Sequence, residues 1–166
     1  FRIFSIFTPF FLGVTLGAVI FGKLTTDTSL GYYQQYVAPW LSVFSLVLGA
    51  FIVVLFAFLA SVFLAGEPGD AESRNRFRKY AVRLLALLIV LGGGVFISAE
   101  ISGLSLFSMY IDSWISTASV VVATVLIPFL LLSLKQEKTN RIRLIAGAQT
   151  TGILIGWFGV QFPHLI

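Results

Sequence analysis

The chain has 166 residues, 58% hydrophobic and only 11% charged, with a mean hydropathy of +0.99. Soluble domains carry about 25% charged residues, so water is excluded as the main surroundings and lipid is expected. The charge of +4 and pI near 9.7 would suggest nucleic acid in a soluble protein, but the 11 Lys and Arg sit beside apolar runs and read as topology signals, with no nucleic-acid partner.

Lipid offers no water to satisfy backbone N–H and C=O groups, so each crossing segment must be a helix or part of a closed barrel. The apolar runs are about 20 residues long without dyad alternation, which fits the roughly 30 Å hydrocarbon core as helices and not as strands. The fold class expected is an all-α integral membrane protein, with about five transmembrane helices forming a helical bundle. The chain opens at Phe1-Arg2-Ile3-Phe4 with neither an initiator Met nor a signal-peptide pattern, and reads as a piece of a longer protein.

The first span is expected at about residues 3–22, closing at Lys23. The polar connection Leu24 to Ala38 carries Tyr32, Tyr33 and Tyr36, which suit a headgroup-level belt. The second span, at about 39–65, starts at Pro39-Trp40, where Pro is tolerated in a first turn, and stops at the Glu67-Pro68-Gly69-Asp70 turn. Asp70 is the expected N-cap of a helix that begins in water with Ala71-Glu72-Ser73-Arg74 and enters the membrane near Tyr80. Arg74 and Arg78 lie one turn apart there, with Arg76, Lys79 and Arg83 around them, and their long stems allow snorkelling to lipid phosphates.

The third span, at about 80–99, leaves Glu100 at the far interface. Ile101 to Ile111 is too short to cross and reads as an interfacial segment or an extension of that span. The fourth span, at about 114–134, contains Pro128 as an expected kink. The basic connection Lys135 to Arg143 leads to the fifth span at about 144–160. No solenoid-period repeat or low-complexity tract interrupts this pattern.

Lys and Arg number one between spans one and two, five between two and three including Arg83, none between three and four, and four between four and five. By the positive-inside rule the loops around Glu67–Lys79 and Lys135–Arg143 face the cytoplasm. Asp27, Glu100 and Asp112 then fall outside.

A transmembrane haem needs inward-facing His or Met, or a Cys thiolate. There is no Cys, one His (His164) and one Met (Met109), neither in the middle of a span. His164 reads as an interfacial polar residue and Met109 as an apolar contact. Glu100 and Asp112 could flank an outer proton exit, but solvated helix ends are the simpler reading. No triad, Walker loop or metal-ligand spacing occurs, so no catalytic, cofactor-binding or metal residue is assigned. Gly92-Gly93-Gly94 lies within an apolar helix and suits close packing or local flexibility. Gly13/Gly17 and Gly152/Gly156 have the spacing that brings membrane helices together. Thr15, Ser45, Ser61, Thr117, Ser119, Thr124 and Gln149 can bond a neighbouring helix or their own backbone.

Several strings resemble subunit II of the cytochrome bd-type quinol oxidases, including the cyanide-insensitive branch. They are Thr8-Pro9-Phe10-Phe11-Leu12-Gly13-Val14-Thr15-Leu16-Gly17, then Trp40-Leu41-Ser42-Val43-Phe44-Ser45-Leu46 with Gly49 and the Phe- and Ala-rich run to Leu64. Pro128 with Leu130-Leu131-Leu132, and Gly156-Trp157 with Gln161-Phe162-Pro163-His164-Leu165-Ile166, complete the set. Their order is similar to that of the family's C-terminal half, over essentially the whole chain. The family's N-terminal strings, of Gly-Phe-Asp-Leu-Gly and Trp-Asp-Gly-Asn-Glu-Val-Trp type, have no counterpart here, so no proton-path acid is carried over.

The resemblance implies a complex in the bacterial cytoplasmic membrane that oxidises quinol and reduces dioxygen to water, with haem b and haem d ligated by subunit I. Its implied partners are subunit I, membrane lipids and quinone, and the implied role of this piece is architectural. Two other readings compete: a fragment of a membrane transporter or permease, with Gly92–Gly94 and Pro128 as helix breaks, and a membrane anchor for some other complex.

Overall fold

A computed structural model describes residues 3–20, 31–33, 37–67, 70–136 and 139–161. Among them lie six helices: α1 (Phe4–Ile20), α2 (Val43–Leu64), α3 (Ala71–Ile101), α4 (Leu106–Asp112), α5 (Trp114–Lys135) and α6 (Thr139–Gln161). By length and composition α2, α3 and α5 can cross a membrane, and α1 is a shorter apolar helix. Helix α6 has 23 residues, but Gln149-Thr150-Thr151 and its glycines dilute its apolar character. The all-helical, multi-pass membrane architecture expected from composition is what the chain adopts. Lys23, Asp27, Tyr36, Pro68, Gly69 and His164 lie outside the described residues.

The chain forms two compact units, Phe1–Phe56 with Leu87–Leu106, and Ala57–Ala86 with Phe107–Ile166. Helices α2 and α3 each contribute one part to either unit. In the first unit the buried apolar side chains are Val14 and Ala18 of α1, Phe44, Leu48, Phe51 and Leu55 of α2, and Leu88, Val95 and Ala99 of α3. In the second they include Phe58 and Val62 of α2, Ala81 and Leu85 of α3, Leu130 and Leu134 of α5, and Ala146 and Trp157 of α6.

The buried positions of α2 (Phe44, Leu48, Phe51, Leu55, Phe58 and Val62) recur at three and four residues, so one stripe of an all-round apolar helix packs inward. The remainder faces outward: of the most apolar 18-residue stretch, 44% is buried in α2, 28% in α3 and only 17% in α5. In water such exposure would be untenable; in lipid it is the expected surface.

The helix ends have local causes. Helix α2 begins at Val43, later than the Pro39 start expected for the second span. Turns in which Trp40 and Leu41 donate to the Val37 carbonyl occupy the preceding residues, and Ser42 Oγ accepts the Ser45 N–H at 3.1 Å as the cap. Asp70 caps α3 as expected, accepting the Ser73 N–H on Oδ2 at 3.0 Å.

Helix α3 stops at Ile101 because Gly103 takes φ +80, which L side chains disfavour. The Leu104 and Gly103 N–H groups then donate to the Ala99 and Glu100 carbonyls, closing the helix with a left-handed residue. Of the two readings of Ile101–Ile111, the extension of span three therefore fails, and a separate seven-residue helix, α4, follows. Ser113 caps α5, accepting the Ser116 N–H. The basic stretch expected as a loop up to Arg143 is already helical from Thr139, since Arg141 and Arg143 can extend their heads to the interface from inside a helix.

Candidate functional site: two small-residue seams and a charged helix junction

Both glycine pairs singled out in the sequence lie at helix contacts. On α1 a Cβ at Gly13 would stand 2.7 Å from Gly49 Cα and 2.8 Å from the Leu48 carbonyl oxygen of α2, and one at Gly17 would stand 2.7 Å from Ser45 Cα. Advancing along α1 thus means retreating along α2, so the two run antiparallel with their backbones nearly touching. This close approach replaces the hydrophobic drive that lipid does not supply. Ser45, fully buried, donates from Oγ to the Pro39 carbonyl at 3.1 Å and accepts from Ser42 Oγ at 2.7 Å. Its hydroxyl is therefore satisfied without a partner on α1.

The second seam joins α5 to α6. Gly152 faces Ser119 and Ala123, Gly156 faces Ser119 and Tyr110, and Gly159 faces Ser116, whose Oγ would lie 2.6 Å from a Cβ there. Gly159 extends the pair seen in the sequence by another turn. Ser113 Oγ accepts from Ser116 Oγ at 3.0 Å and donates to the Gly159 carbonyl at 3.2 Å, fastening the start of α5 to the end of α6. Thr117 Oγ1 donates to the Tyr110 carbonyl at 2.7 Å, and the Tyr110 and Trp157 rings meet edge to face at 6.2 Å. Burial pushes the Tyr110 phenol above its usual range, so it stays protonated.

The charged junction was not anticipated. Arg143, on the first turns of α6, donates through Nη2 to the Phe63 carbonyl at 2.9 Å and to Glu67 Oε1 at 2.8 Å. Its guanidinium also lies over the Phe63 ring, 5.5 Å from the centroid. Phe63 belongs to the last turn of α2, where the carbonyls carry partial negative charge, and its oxygen also accepts the Gly66 N–H at 3.1 Å. A cation supplied from 80 residues away adds a second donor to that end.

Most other polar side chains within the helices satisfy themselves. Thr15, Ser61 and Thr124 each donate to the carbonyl four residues earlier, at 2.7, 2.9 and 2.8 Å. Gln149 is 3% exposed, with Oε1 lacking a hydrogen-bond partner. Gly92 and Gly94 approach Phe51 and Val47 within an unbroken α3, while a Cβ at Gly93 would meet nothing within 4 Å.

Glu100 and Asp112 are exposed at the ends of α3 and α4. Met109, the only Met in the chain, is 40% exposed on α4 and outside the long apolar helices. Among the described residues no group of three or more His, Cys, Asp or Glu is placed to hold a metal.

Two small-residue seams and apolar outward faces are features of a multi-pass helical membrane protein. No curated protein and no solved structure matches the chain. The family model of cytochrome bd terminal oxidase subunit II matches residues 1–166. The chain accordingly belongs to the cytochrome bd terminal oxidase subunit II family, whose members are subunits of the bd quinol oxidase and associate with subunit I.

Proposed function

We propose that this chain is the C-terminal half of subunit II of a quinol:oxygen oxidoreductase in a bacterial cytoplasmic membrane, and that its own role is architectural. It holds a helical framework against subunit I, which carries haem b and haem d, while quinol is oxidised and dioxygen reduced in the complex. The five proposed crossings are about 3–22, 39–65, 80–99, 114–134 and 144–160, with the basic Glu67–Lys79 and Lys135–Arg143 regions in the cytoplasm.

One observation carries the reading: the family match covers the whole chain, yet the long helices contain no ionisable acid or base between Arg83 and Glu100, anywhere in α2, or in α5 before Lys135. Electron and proton transfer require such groups or a bound redox centre, and helix interiors without ionisable groups are suited to packing instead. The absence of a charged or strongly polar cluster at mid-membrane weighs against the transporter reading.

The test is to purify the tagged parent protein in mild detergent and record reduced-minus-oxidised spectra together with quinol-dependent oxygen uptake. The expected result is a co-purifying haem-bearing polypeptide, a chlorin-type red band and oxygen consumption. A colourless single polypeptide without oxygen uptake would refute the proposal.

A further inference from the structure

Helix α5 is the least covered of the three long apolar helices, with 17% of its most apolar stretch buried. One side of it packs on α6 through Ser116, Ser119 and Ala123. The opposite side carries Val121, Val125, Phe129 and Leu132, each more than half exposed and recurring at three and four residues. Acyl chains would satisfy those side chains, but not the backbone beside them.

Pro128 stands within α5 and has no N–H. The carbonyl four residues earlier, on Thr124, therefore lacks its helical donor. The Thr124 hydroxyl is spent elsewhere, donating to the Val120 carbonyl at 2.8 Å. Among the described residues no turn, loop or side-chain donor is bonded to the Thr124 carbonyl. Thr124 and Pro128 are both exposed, one turn apart on the flank of the apolar stripe. Thr124 lies about 15 Å from either end of α5 at about 1.5 Å per residue, which puts its carbonyl near the middle of the hydrocarbon. Acyl chains offer no donor at that depth, and an unpaired carbonyl there is costly. Membrane helices tolerate Pro where a neighbouring helix or side chain takes up the freed carbonyl.

We infer that the Val121–Leu132 face of α5 docks a membrane helix of subunit I, and that a side-chain donor on that helix, a hydroxyl, amide or indole N–H, bonds the Thr124 carbonyl beside Pro128. Val121, Val125 and Phe129 supply the packing surface, and the carbonyl supplies the one polar contact that fixes depth and register. The inference rests on the association with subunit I and adds which face meets it and what that partner must present.

The test uses the assembled complex, with p-benzoylphenylalanine replacing Val121, Val125 or Phe129 one at a time. Irradiation is expected to join each position to a membrane segment of subunit I, with a Ser, Thr, Asn, Gln, Tyr or Trp within one turn of the Val125 cross-link. Replacing that donor by an apolar residue should weaken retention of subunit I on dilution in detergent by about fivefold. The loss should be much smaller where Pro128→Ala has given the carbonyl an N–H of its own. If Pro128→Ala fails to assemble, the cross-links and the donor replacement in the unaltered chain still decide the matter.

Cross-links confined to lipid, to another part of subunit II or to a second copy of this chain would overturn the inference, as would a contact without a donor or equal losses with and without Pro128→Ala. If a haem-bearing subunit I co-purifies and α5 cross-links elsewhere, this inference falls alone. If no haem-bearing polypeptide is present, the proposed oxidase role falls with it.

Discussion

Replacing Gly13 with Ala tests the α1–α2 seam at its tightest point. The added Cβ would stand 2.7 Å from Gly49 Cα, against 3.4 Å at the near edge of ordinary contact, so the two backbones must part locally by about 0.7 Å. Neither the Gly49 Cα nor the Leu48 carbonyl at 2.8 Å can rotate out of the way. Overpacking of this kind costs about 1–3 kcal/mol, while Ala in place of Gly within a helix returns about 0.5–1 kcal/mol. The net expectation is a loss of about 1–2 kcal/mol.

Gly49→Ala meets side-chain atoms of Val14 and Phe10, at 2.9 and 3.0 Å, which can shift, and should lose less. Gly93→Ala meets nothing within 4 Å and should be neutral or stabilising by up to about 1 kcal/mol. The assay is denaturant or thermal unfolding of the purified complex at fixed lipid and detergent. A Gly13→Ala protein as stable as Gly93→Ala would show that the helices do not touch as described.

Arg143→Ala removes the bond to the Phe63 carbonyl, the Glu67 ion pair and the contact with the Phe63 ring, and should lower stability by about 1–2 kcal/mol in the same assay. Glu67→Gln should cost less than about 0.5 kcal/mol, because the bond to Phe63 persists and the Glu67 side chain is 60% exposed. The hydrogen bonds from Ser73 hold the Asp70 carboxyl below its ordinary range in the folded protein. Its capping contribution is therefore present at neutral pH and fades as pH falls through the folded value. Amide protection factors at Ser73 and Arg74, corrected for intrinsic exchange, should fall on acidification, and Asp70→Asn should remove that dependence. The absence of Cys from the chain gives a clean background for labelling: Arg74→Cys and Asn140→Cys should react with an impermeant maleimide only from the cytoplasmic side, and Asp112→Cys only from outside.

Hydropathy and length made α2, α3 and α5 legible, since a lipid-crossing helix must be apolar over about 20 residues. Asp70 was readable as a cap because capping is local, and the glycine pairs as contact points because their spacing is helical. Their partners were not. Nothing near Gly13 specifies Gly49, and Gly159 makes its contact with Ser116 only once α5 and α6 are side by side.

Arg143 read as one charge in a basic loop because its acceptors, Phe63 and Glu67, are distant in sequence. Gly103, by contrast, carried an available clue, a Ser-Gly pair after an apolar helix, and marks where α3 had to end. Ser42 and Ser113 were likewise readable N-caps, but the apolar runs beside them masked the boundary.

The central claim is that this chain supplies the framework and no iron ligand. Met109→Leu and His164→Ala, combined in the assembled complex, remove its only Met and its only His. Reduced-minus-oxidised and carbon-monoxide difference spectra, normalised to protein, should match those of the unaltered complex in every haem band. Disappearance or shift of one haem band in the combined variant, with the others intact, would place an axial ligand on this chain and contradict the account.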